Sequence, residues 1–241
     1  MYGAVKALMD LVARLRSPGG CPWDAKQTDS TIKIYLLEEA YEVLDAIDKS
    51  SAADVCEELG DLLFHIIFLA RLASERRQFD FIDVVEKITE KMIRRHPHVF
   101  GETKLNNAEE VVENWAIIKK GEKGPLSDAS VLDSIPGNLP ALMRAHRLGE
   151  RSSRVGFSSQ DANTAWDEAI EKFDDLKAAV ANGEKSLVGQ KMGEVLFCLA
   201  TLSRSWGLNS EHLLRIQNRR FSDLVMEQER VSKQDGTGTK S

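Results

Sequence analysis

Apolar residues recur at three- and four-residue spacing along most of the chain. Near the amino terminus, Val5, Leu8, Met9, Val12 and Leu15 share one helical face in this way. No stretch alternates apolar and polar residues between hairpin turns, which is the pattern of a half-buried strand. The periodicity therefore predicts an all-α fold.

Glycine and proline residues interrupt this pattern and divide it into nine predicted helices. Sequence patterns define the ends of such helices to about 2–4 residues. The predicted helices span residues 3–16, 30–49, 52–77, 80–96, 107–120, 138–150, 161–181, 186–206 and 210–232.

The distribution of glycine and proline residues also indicates the domain organisation. Residues 121–138 are rich in glycine, proline and polar side chains, and we predict a linker there. It separates an amino-terminal module, residues 1–120, from a carboxyl-terminal module, residues 139–231. Residues 232–241 contain no apolar side chain and are predicted to be a disordered tail.

An internal repeat relates the two modules. Leu59–Arg71 aligns with Met192–Arg204 at an offset of 133 residues, and the same offset places Glu38 on Glu171. We therefore expect two tandem copies of one helical-bundle module.

Composition and charge narrow the class of protein. The 241-residue chain has a formal net charge of −6, so it has no global attraction for nucleic acid. Its longest uncharged apolar stretches have nine residues, against the ~20 of a membrane-spanning helix. The three cysteines are far apart and the first residues lack a signal-peptide pattern. We expect a cytoplasmic protein with reduced thiols that binds neither nucleic acid nor membrane.

Two neighbouring predicted helices carry carboxylates at same-face spacing. Glu38, Glu39 and Glu42 lie on the first helix, and Glu58 and Asp61 lie on the second. A short connection makes the helices antiparallel neighbours, so that these acids can face each other. Two like charges ~4 Å apart repel by ~4 kcal/mol at an effective dielectric of ~20, and such a cluster needs a cation. Mg²⁺ or Mn²⁺ fits oxygen ligands. The alternative is an ordinary charged face on two amphipathic helices.

Flanking motifs make the pattern specific. The acids follow the segment Cys21–Thr28, which reads Cys-Pro-Trp-Asp-x-Lys-Gln-Thr, and precede Arg94–Phe100, which reads Arg-Arg-His-Pro-His-Val-Phe. Together with Glu-Glu-x-x-Glu and Glu-x-x-Asp, these motifs resemble MazG, the nucleoside triphosphate (NTP) pyrophosphohydrolases of the all-α NTP pyrophosphatase superfamily. The resemblance extends to about residue 230 and includes the duplication.

The resemblance implies Mg²⁺-dependent cleavage of an NTP to a nucleoside monophosphate and pyrophosphate, in a role that clears unwanted nucleotides. It also implies an intertwined helical homodimer or a higher homo-oligomer. By the same resemblance Glu39, Glu42, Glu58 and Asp61 are metal ligands, and Glu38 is a supporting carboxylate. Since a carboxylate free of metal can orient or deprotonate water, we assign that catalytic role to Glu38.

Cationic residues near the end of helix 80–96 are candidates for phosphate binding. Lys91, Arg94 and Arg95 share a face, and arginine suits bidentate contacts with phosphate oxygens. The alternative is a favourable basic charge at a helix carboxyl terminus. The resemblance favours phosphate binding.

Two pairs of an aromatic and a basic residue are candidates for nucleotide binding. Trp115 and Lys119 are four residues apart on one helix, and the resemblance places this tryptophan beside the nucleotide. Trp23 and Lys26 lie in the loop before the acidic helix. For both tryptophans, packing in the fold is the alternative. His65 lies one turn after Asp61, but the Glu-x-x-His motif of di-iron bundles is absent from both acidic helices, so we predict no such role.

The second repeat has lost the charge balance of a metal site. The offset of 133 replaces the four expected ligands by Lys172, Asp175, Lys191 and Glu194. Protonated lysines repel Mg²⁺ and are expected to pair with the two acids instead. We predict that this repeat is catalytically silent and serves as scaffold, dimer surface or substrate lid.

Alternatives remain open from the sequence. Superfamily members that act on dUTP or on phosphoribosyl-ATP are the nearest enzymatic ones. A non-catalytic helical regulator that binds nucleotide or protein is the alternative from another class.

Overall fold

The computed structural model describes residues 2–122, 130–153, 155–157 and 161–236. These residues form eleven helices and no strand, which confirms the all-α prediction. The helices are α1 (Tyr2–Leu15), α2 (Pro22–Ala25), α3 (Asp29–Asp48), α4 (Ala52–Glu75), α5 (Phe81–Arg95), α6 (Pro97–Phe100), α7 (Ala108–Gly121), α8 (Ala141–Ser153), α9 (Ala162–Asn182), α10 (Lys185–Ser205) and α11 (Ser210–Gly236).

The chain divides into two units, residues 1–125 and residues 126–241. In the first unit, α3 and α4 form a helical hairpin, and α1 and α5 pack on α4. A buried apolar cluster holds these helices together, because its side chains come from both arms of the hairpin and from α1. The cluster consists of Val12, Ile32, Ile67, Phe68 and Leu72.

Local capping explains where the hairpin helices begin. The Ser51 side chain accepts a hydrogen bond from the Asp54 backbone N–H and starts α4. Thr28 and Thr31 form a reciprocal capping box at the start of α3. The turn between the two helices is only residues 49–51, so the acidic faces of α3 and α4 are held side by side.

The second unit repeats the hairpin with α9 and α10, on which α8 and α11 pack. Its buried positions are mostly small, including Ala165, Ala169, Ala179 and Ala200. Small side chains let the helices approach closely. At Gly149 on α8, an added Cβ would lie 2.8 Å from the Thr201 side chain on α10.

The bounds of the two hairpins agree with the offset of 133 residues. Moving α3 by this offset gives residues 162–181, and α9 is Ala162–Asn182. The turn residues also correspond, since Ser50 and Gly183 both have positive φ angles, +58° and +71°. The tandem-repeat prediction is therefore consistent with the helix register.

The structure differs from the sequence prediction at two short helices and at the predicted tail. The one-turn helices α2 and α6 were not predicted, because each is shorter than the periodic pattern can detect and begins with proline at its first turn. Helix α11 continues to Gly236, so it includes the first five residues of the segment predicted as a tail, residues 232–236. Lysine and glutamine in this segment are good helix formers. Residues 237–241 lie outside the described residues.

The predicted linker is described only in part. Helix α7 ends at Gly121, and residues 130–140 form turns before α8 begins at Ala141. Residues 123–129 of the predicted linker lie outside the described residues. Among the described helices, none combines the length and the apolar character needed to cross a bilayer.

Candidate metal centre

The hairpin of α3 and α4 brings carboxylates from both helices to one place. Glu39, Glu58 and Asp61 each offer one oxygen, and these oxygens all lie within 4.8 Å of one another. Glu39 and Glu58 are partly buried, whereas Asp61 is exposed. Three carboxylates from two helices therefore converge at a single point on the hairpin.

Burial and mutual repulsion raise the pKa values of carboxylates in this group. Partial burial raises the pKa of Glu39 above its usual value, and the negative charges of Glu42, Asp61 and Glu38 raise it further. Burial raises the pKa of Glu58 too, followed by the charges of Glu42, Asp61 and Glu39. A side-chain hydrogen bond with Glu42 adds to the rise in both pKa values, which places Glu42 beside both groups. All four ligands expected from the sequence thus lie in one cluster that favours a cation.

The donor set fits a hard divalent ion. Every candidate ligand atom is a carboxylate oxygen, which suits Mg²⁺ or Mn²⁺ better than softer metals. Glu38 lies next to this group on the exposed side of α3, and its charge acts on Glu39. It is therefore the nearby carboxylate outside the expected ligand set.

His65 is a neighbour of the cluster that sequence reasoning missed. Its Nε2 lies 3.4 Å from Glu39 Oε1, and its ring stacks on Tyr35 with 5.8 Å between ring centroids. Burial lowers the pKa of His65, while the charges of Asp61 and Glu38 oppose this shift. The available signal was helical spacing, since Tyr35 and Glu39 are four residues apart, as are Asp61 and His65.

Aromatic contacts connect the loop of Trp23 to His65. The Trp23 and Tyr35 ring centroids lie 6.0 Å apart, so Trp23 reaches the acidic cluster through Tyr35 and His65. The Trp23 residue nevertheless remains 55% exposed. Lys26 is exposed in the same loop. The tryptophan thus has a free surface close to the cluster.

Arg16 anchors the Trp23 loop to the core. Its Nη1 donates to the backbone carbonyls of Asp24 and Gln27, and its other nitrogens bind the Glu75 carboxylate at 2.9 and 2.7 Å. The guanidinium also lies over the Phe68 ring, 5.3 Å from its centroid. These contacts fix the loop that presents Trp23 beside α3.

The predicted phosphate-binding arginines hold a carboxylate. Arg94 Nε and Nη2 donate to Glu122 Oε1 at 2.9 and 2.7 Å, and Arg95 also donates to both oxygens of Glu122. Hydrogen bonds from Arg95 and Arg94 lower the pKa of Glu122 to about 2. Lys91 lies on the same helix and is half-buried. Glu122 was missed because it follows the predicted end of its helix.

The structure places Trp115 against the end of α5. Its ring centroid lies 5.8 Å from that of His96, and the residue is 38% exposed. Lys119, four residues further along α7, is half-buried. The described contact of Trp115 is therefore a packing contact, and its nucleotide role stays a prediction.

Comparison with known proteins identifies the family of this chain. The family model of the MazG nucleotide pyrophosphohydrolase domain matches residues 27–100, which include the whole acidic cluster. A nucleoside triphosphate pyrophosphohydrolase of Escherichia coli strain K12 is 40% identical over 230 residues, covering 94% of this chain and 88% of that protein. The chain belongs to the MazG family.

Two proteins from Thermotoga maritima are also similar to this chain. A Thermotoga maritima protein named nucleoside triphosphate pyrophosphohydrolase/pyrophosphatase MazG is 37% identical over 229 residues, covering 95% of this chain and 87% of that protein. The crystal structure of a mazG-related protein from Thermotoga maritima aligns at 30% identity and a TM-score of 0.42. That alignment covers 48% of this chain and 98% of the other.

The second unit of this MazG-family chain carries an ion-pair cluster where the first carries acids. Lys191 Nζ lies 2.8 Å from Asp175 Oδ2 and 3.1 Å from Glu194 Oε2, and Lys172 Nζ lies 4.0 Å from the same Glu194 oxygen. These contacts confirm the predicted pairing. Lys191 lowers the pKa values of Asp175 and Glu194, opposite in direction to the shifts of Glu39 and Glu58.

A cavity of about 760 Å³ opens beside this ion-pair cluster, between α9 and α10. Lys172 and Glu194 line it together with Phe197 and Cys198. The size of this cavity does not identify a metal site. A lysine ammonium stands at the position of an expected ligand and has no lone pair to offer a metal. On the chemistry of its side chains, the first unit therefore carries the candidate metal centre.

Proposed function

We propose that the chain hydrolyses NTPs to nucleoside monophosphate and pyrophosphate, using Mg²⁺ or Mn²⁺ held by Glu39, Glu42, Glu58 and Asp61. The observation that carries the proposal is the convergence of three carboxylate oxygens within 4.8 Å on α3 and α4. Membership in the MazG family supports it, as do the printed names of the Escherichia coli and Thermotoga maritima relatives.

The charge of the site explains why a divalent ion belongs to the reaction. A triphosphate is a polyanion, and an acidic cluster repels it unless cations lie between the two. Divalent ions held by Glu39, Glu42, Glu58 and Asp61 would neutralise phosphate charge and would stabilise the charge that develops as pyrophosphate leaves. The carboxylates themselves fix where those charges are held.

Glu38 is the proposed catalytic carboxylate. It is exposed beside Glu39, outside the proposed ligand set. A carboxylate in this place can accept a proton from a water molecule that attacks the α-phosphorus. Holding the water at Glu38 also orients it toward the substrate.

Lys91, Arg94 and Arg95 are the proposed contacts to the β- and γ-phosphates. The two arginines already hold both oxygens of the Glu122 carboxylate, so their forks have the geometry that an oxyanion needs. Phosphate oxygens offer the same kind of acceptor with more charge. Binding of substrate then requires Glu122 to yield these donors.

Trp23 and Lys26 are the proposed contacts to the nucleoside. The exposed Trp23 ring offers a stacking surface that aromatic contacts connect to Glu39. Trp115 and Lys119 are a second proposed pair for the nucleotide, on the resemblance to the family. The proposed location of this activity is the cytoplasm.

The proposed division of labour follows the modules. The amino-terminal module, residues 1–120, is the active one, and the carboxyl-terminal module, residues 139–231, is a catalytically silent scaffold. Both hairpins expose large apolar side chains, for example Leu37 and Leu59 in the first and Trp166 and Leu196 in the second. We propose that a second copy of the chain covers such faces in a homodimer.

The test is a panel of NTPs with Mg²⁺, with Mn²⁺ and with a chelator, scored for monophosphate and pyrophosphate against diphosphate and phosphate. Including dUTP and phosphoribosyl-ATP separates the related activities. The proposal expects metal-dependent release of pyrophosphate that Glu39→Gln and Glu42→Gln abolish. Nucleotide binding without any product would instead support a non-catalytic regulator. Hydrolysis that persists in both variants would overturn the assignment of the site.

A further inference from the structure

The His65 ring is held beside the metal centre by contacts on two sides. It stacks on Tyr35 with an interplanar angle of 15°, and the Phe64 ring meets it edge-on at 5.3 Å between centroids. The side chain is only 12% exposed. Because the ring is clamped, the direction of its two nitrogens is fixed by packing.

The two nitrogens have different surroundings. Nε2 lies 3.4 Å from Glu39 Oε1, whereas Nδ1 is buried and has no hydrogen-bond partner in the described part of the chain. A neutral imidazole carries one N–H and one lone pair. If the proton were on Nδ1, an N–H would be buried unpaired and the lone pair of Nε2 would face a carboxylate. Both of these consequences of a proton on Nδ1 are unfavourable. The neutral ring is therefore expected to carry its proton on Nε2.

We propose that His65 is a positioning residue that directs its Nε2–H toward Glu39 Oε1 and thereby orients this carboxylate for a divalent ion. The inference rests on the proposed function, since it needs Glu39 to be a ligand. A donor on one carboxylate oxygen limits rotation of the group and leaves the other oxygen available to an ion. Such partners of metal ligands commonly change metal affinity about 10–100-fold.

The second unit provides an internal comparison. The offset of 133 residues places Cys198 at the position of His65 and Lys172 at that of Glu39. Cys198 and Lys172 line the same cavity of the second unit. The hairpin that lacks the carboxylate therefore also lacks the imidazole donor. This correspondence is expected if the histidine serves the carboxylate and is not required for packing of the hairpin.

Two variants of equal chemistry but different reach test the proposal. A glutamine amide extends about as far from the backbone as Nε2 of histidine, whereas the asparagine amide is one methylene shorter. Binding of Mn²⁺ alone is measured by titration calorimetry on wild type, His65→Gln, His65→Asn and His65→Phe. We expect affinity within about threefold of wild type for His65→Gln and about a 10–100-fold loss for His65→Asn and His65→Phe.

Thermal unfolding without metal separates positioning from folding, because the phenylalanine keeps an aromatic ring against Tyr35. Equal Mn²⁺ affinity in all four proteins overturns the inference and leaves the proposed function standing. A loss in His65→Gln as large as that in His65→Phe also overturns it. Absence of Mn²⁺ binding in wild type overturns both the inference and the proposed function.

Discussion

The ammonium of Lys191 donates a hydrogen bond to Asp175 at 2.8 Å, at the position where the first repeat has Glu58 facing Glu42. One charge reversal has converted a repelling pair of carboxylates into an ion pair. The helices of the two hairpins begin at corresponding residues, so the difference in chemistry comes from the side chains at these positions. The same four positions thus carry an acidic cluster in the first repeat and an ion-pair cluster in the second.

Reversing the two lysines should restore a metal site in the second unit. In the double variant Lys172→Glu/Lys191→Glu, the four positions again carry four carboxylates, whose repulsion a divalent ion would relieve. We expect one additional binding event in a Mn²⁺ titration compared with wild type. The control is Lys172→Gln/Lys191→Gln, which removes the positive charges without completing the ligand set. An unchanged stoichiometry in the glutamate variant would contradict this view of the second repeat.

Substitutions at the turn residues Ser50 and Gly183 should change the free energy of unfolding in opposite directions. Ser50 has a φ of +58°, a region that costs a residue with a Cβ about 1–2 kcal/mol relative to glycine. Ser50→Gly should therefore raise the free energy of unfolding by about 1 kcal/mol, and Gly183→Ala should lower it by a similar amount. An added Cβ at Gly183 meets no atom within 4 Å, so the loss reports backbone conformation alone. Urea denaturation measures both changes, and equal effects of one sign would refute the explanation.

The acidic cluster predicts how stability depends on pH without metal. Burial and neighbouring acids raise the pKa values of Glu39 and Glu58, so the folded chain binds more protons than the unfolded chain between the ordinary and the raised pKa values. The melting temperature of wild type in chelator should therefore fall relative to that of Glu39→Gln/Glu58→Gln as pH rises through this interval. The comparison is made between these two proteins because carboxylates with lowered pKa values, such as Glu122, contribute the opposite slope equally in both. Added Mg²⁺ should reverse the trend, because it binds the ionised carboxylates. The change in melting temperature on adding Mg²⁺ should be smaller in Glu39→Gln/Glu58→Gln than in wild type. An equal change in both proteins would count against the proposed site.

Glu122 predicts a change in substrate affinity. Its carboxylate neutralises Arg94 and Arg95, and its pKa of about 2 keeps it ionised at neutral pH. If these arginines bind phosphates, Glu122→Gln should lower KM for an NTP about threefold and leave kcat unchanged, because a neutral amide competes less well for the arginines. Steady-state kinetics in low salt measure this. A higher KM would mean that Glu122 holds the arginines in place for substrate.

The sequence predicted the long helices well because their apolar spacing is periodic over many turns. It also placed the acids together, since helical spacing and a short turn leave α3 and α4 few arrangements. Contacts between distant segments were beyond it. Glu122 reaches Arg94 across 28 positions, and the role of His65 depends on a stacking contact with a ring on another helix. The absence of a Glu-x-x-His motif spoke only against His65 as a metal ligand. In the structure the imidazole lies beside Glu39, a proposed ligand.

In the proposed function, hydrolysis depends on the acids of the first unit and not on those of the second. The most direct measurement compares Mg²⁺-dependent pyrophosphate release by two matched double variants, Glu39→Gln/Glu58→Gln and Asp175→Asn/Glu194→Gln. Since removing ligands costs several kcal/mol of transition-state stabilisation, the first should lose at least about 100-fold in rate. The second should stay within about twofold of wild type. The reverse order, with activity kept by the first variant and lost by the second, would contradict the claim.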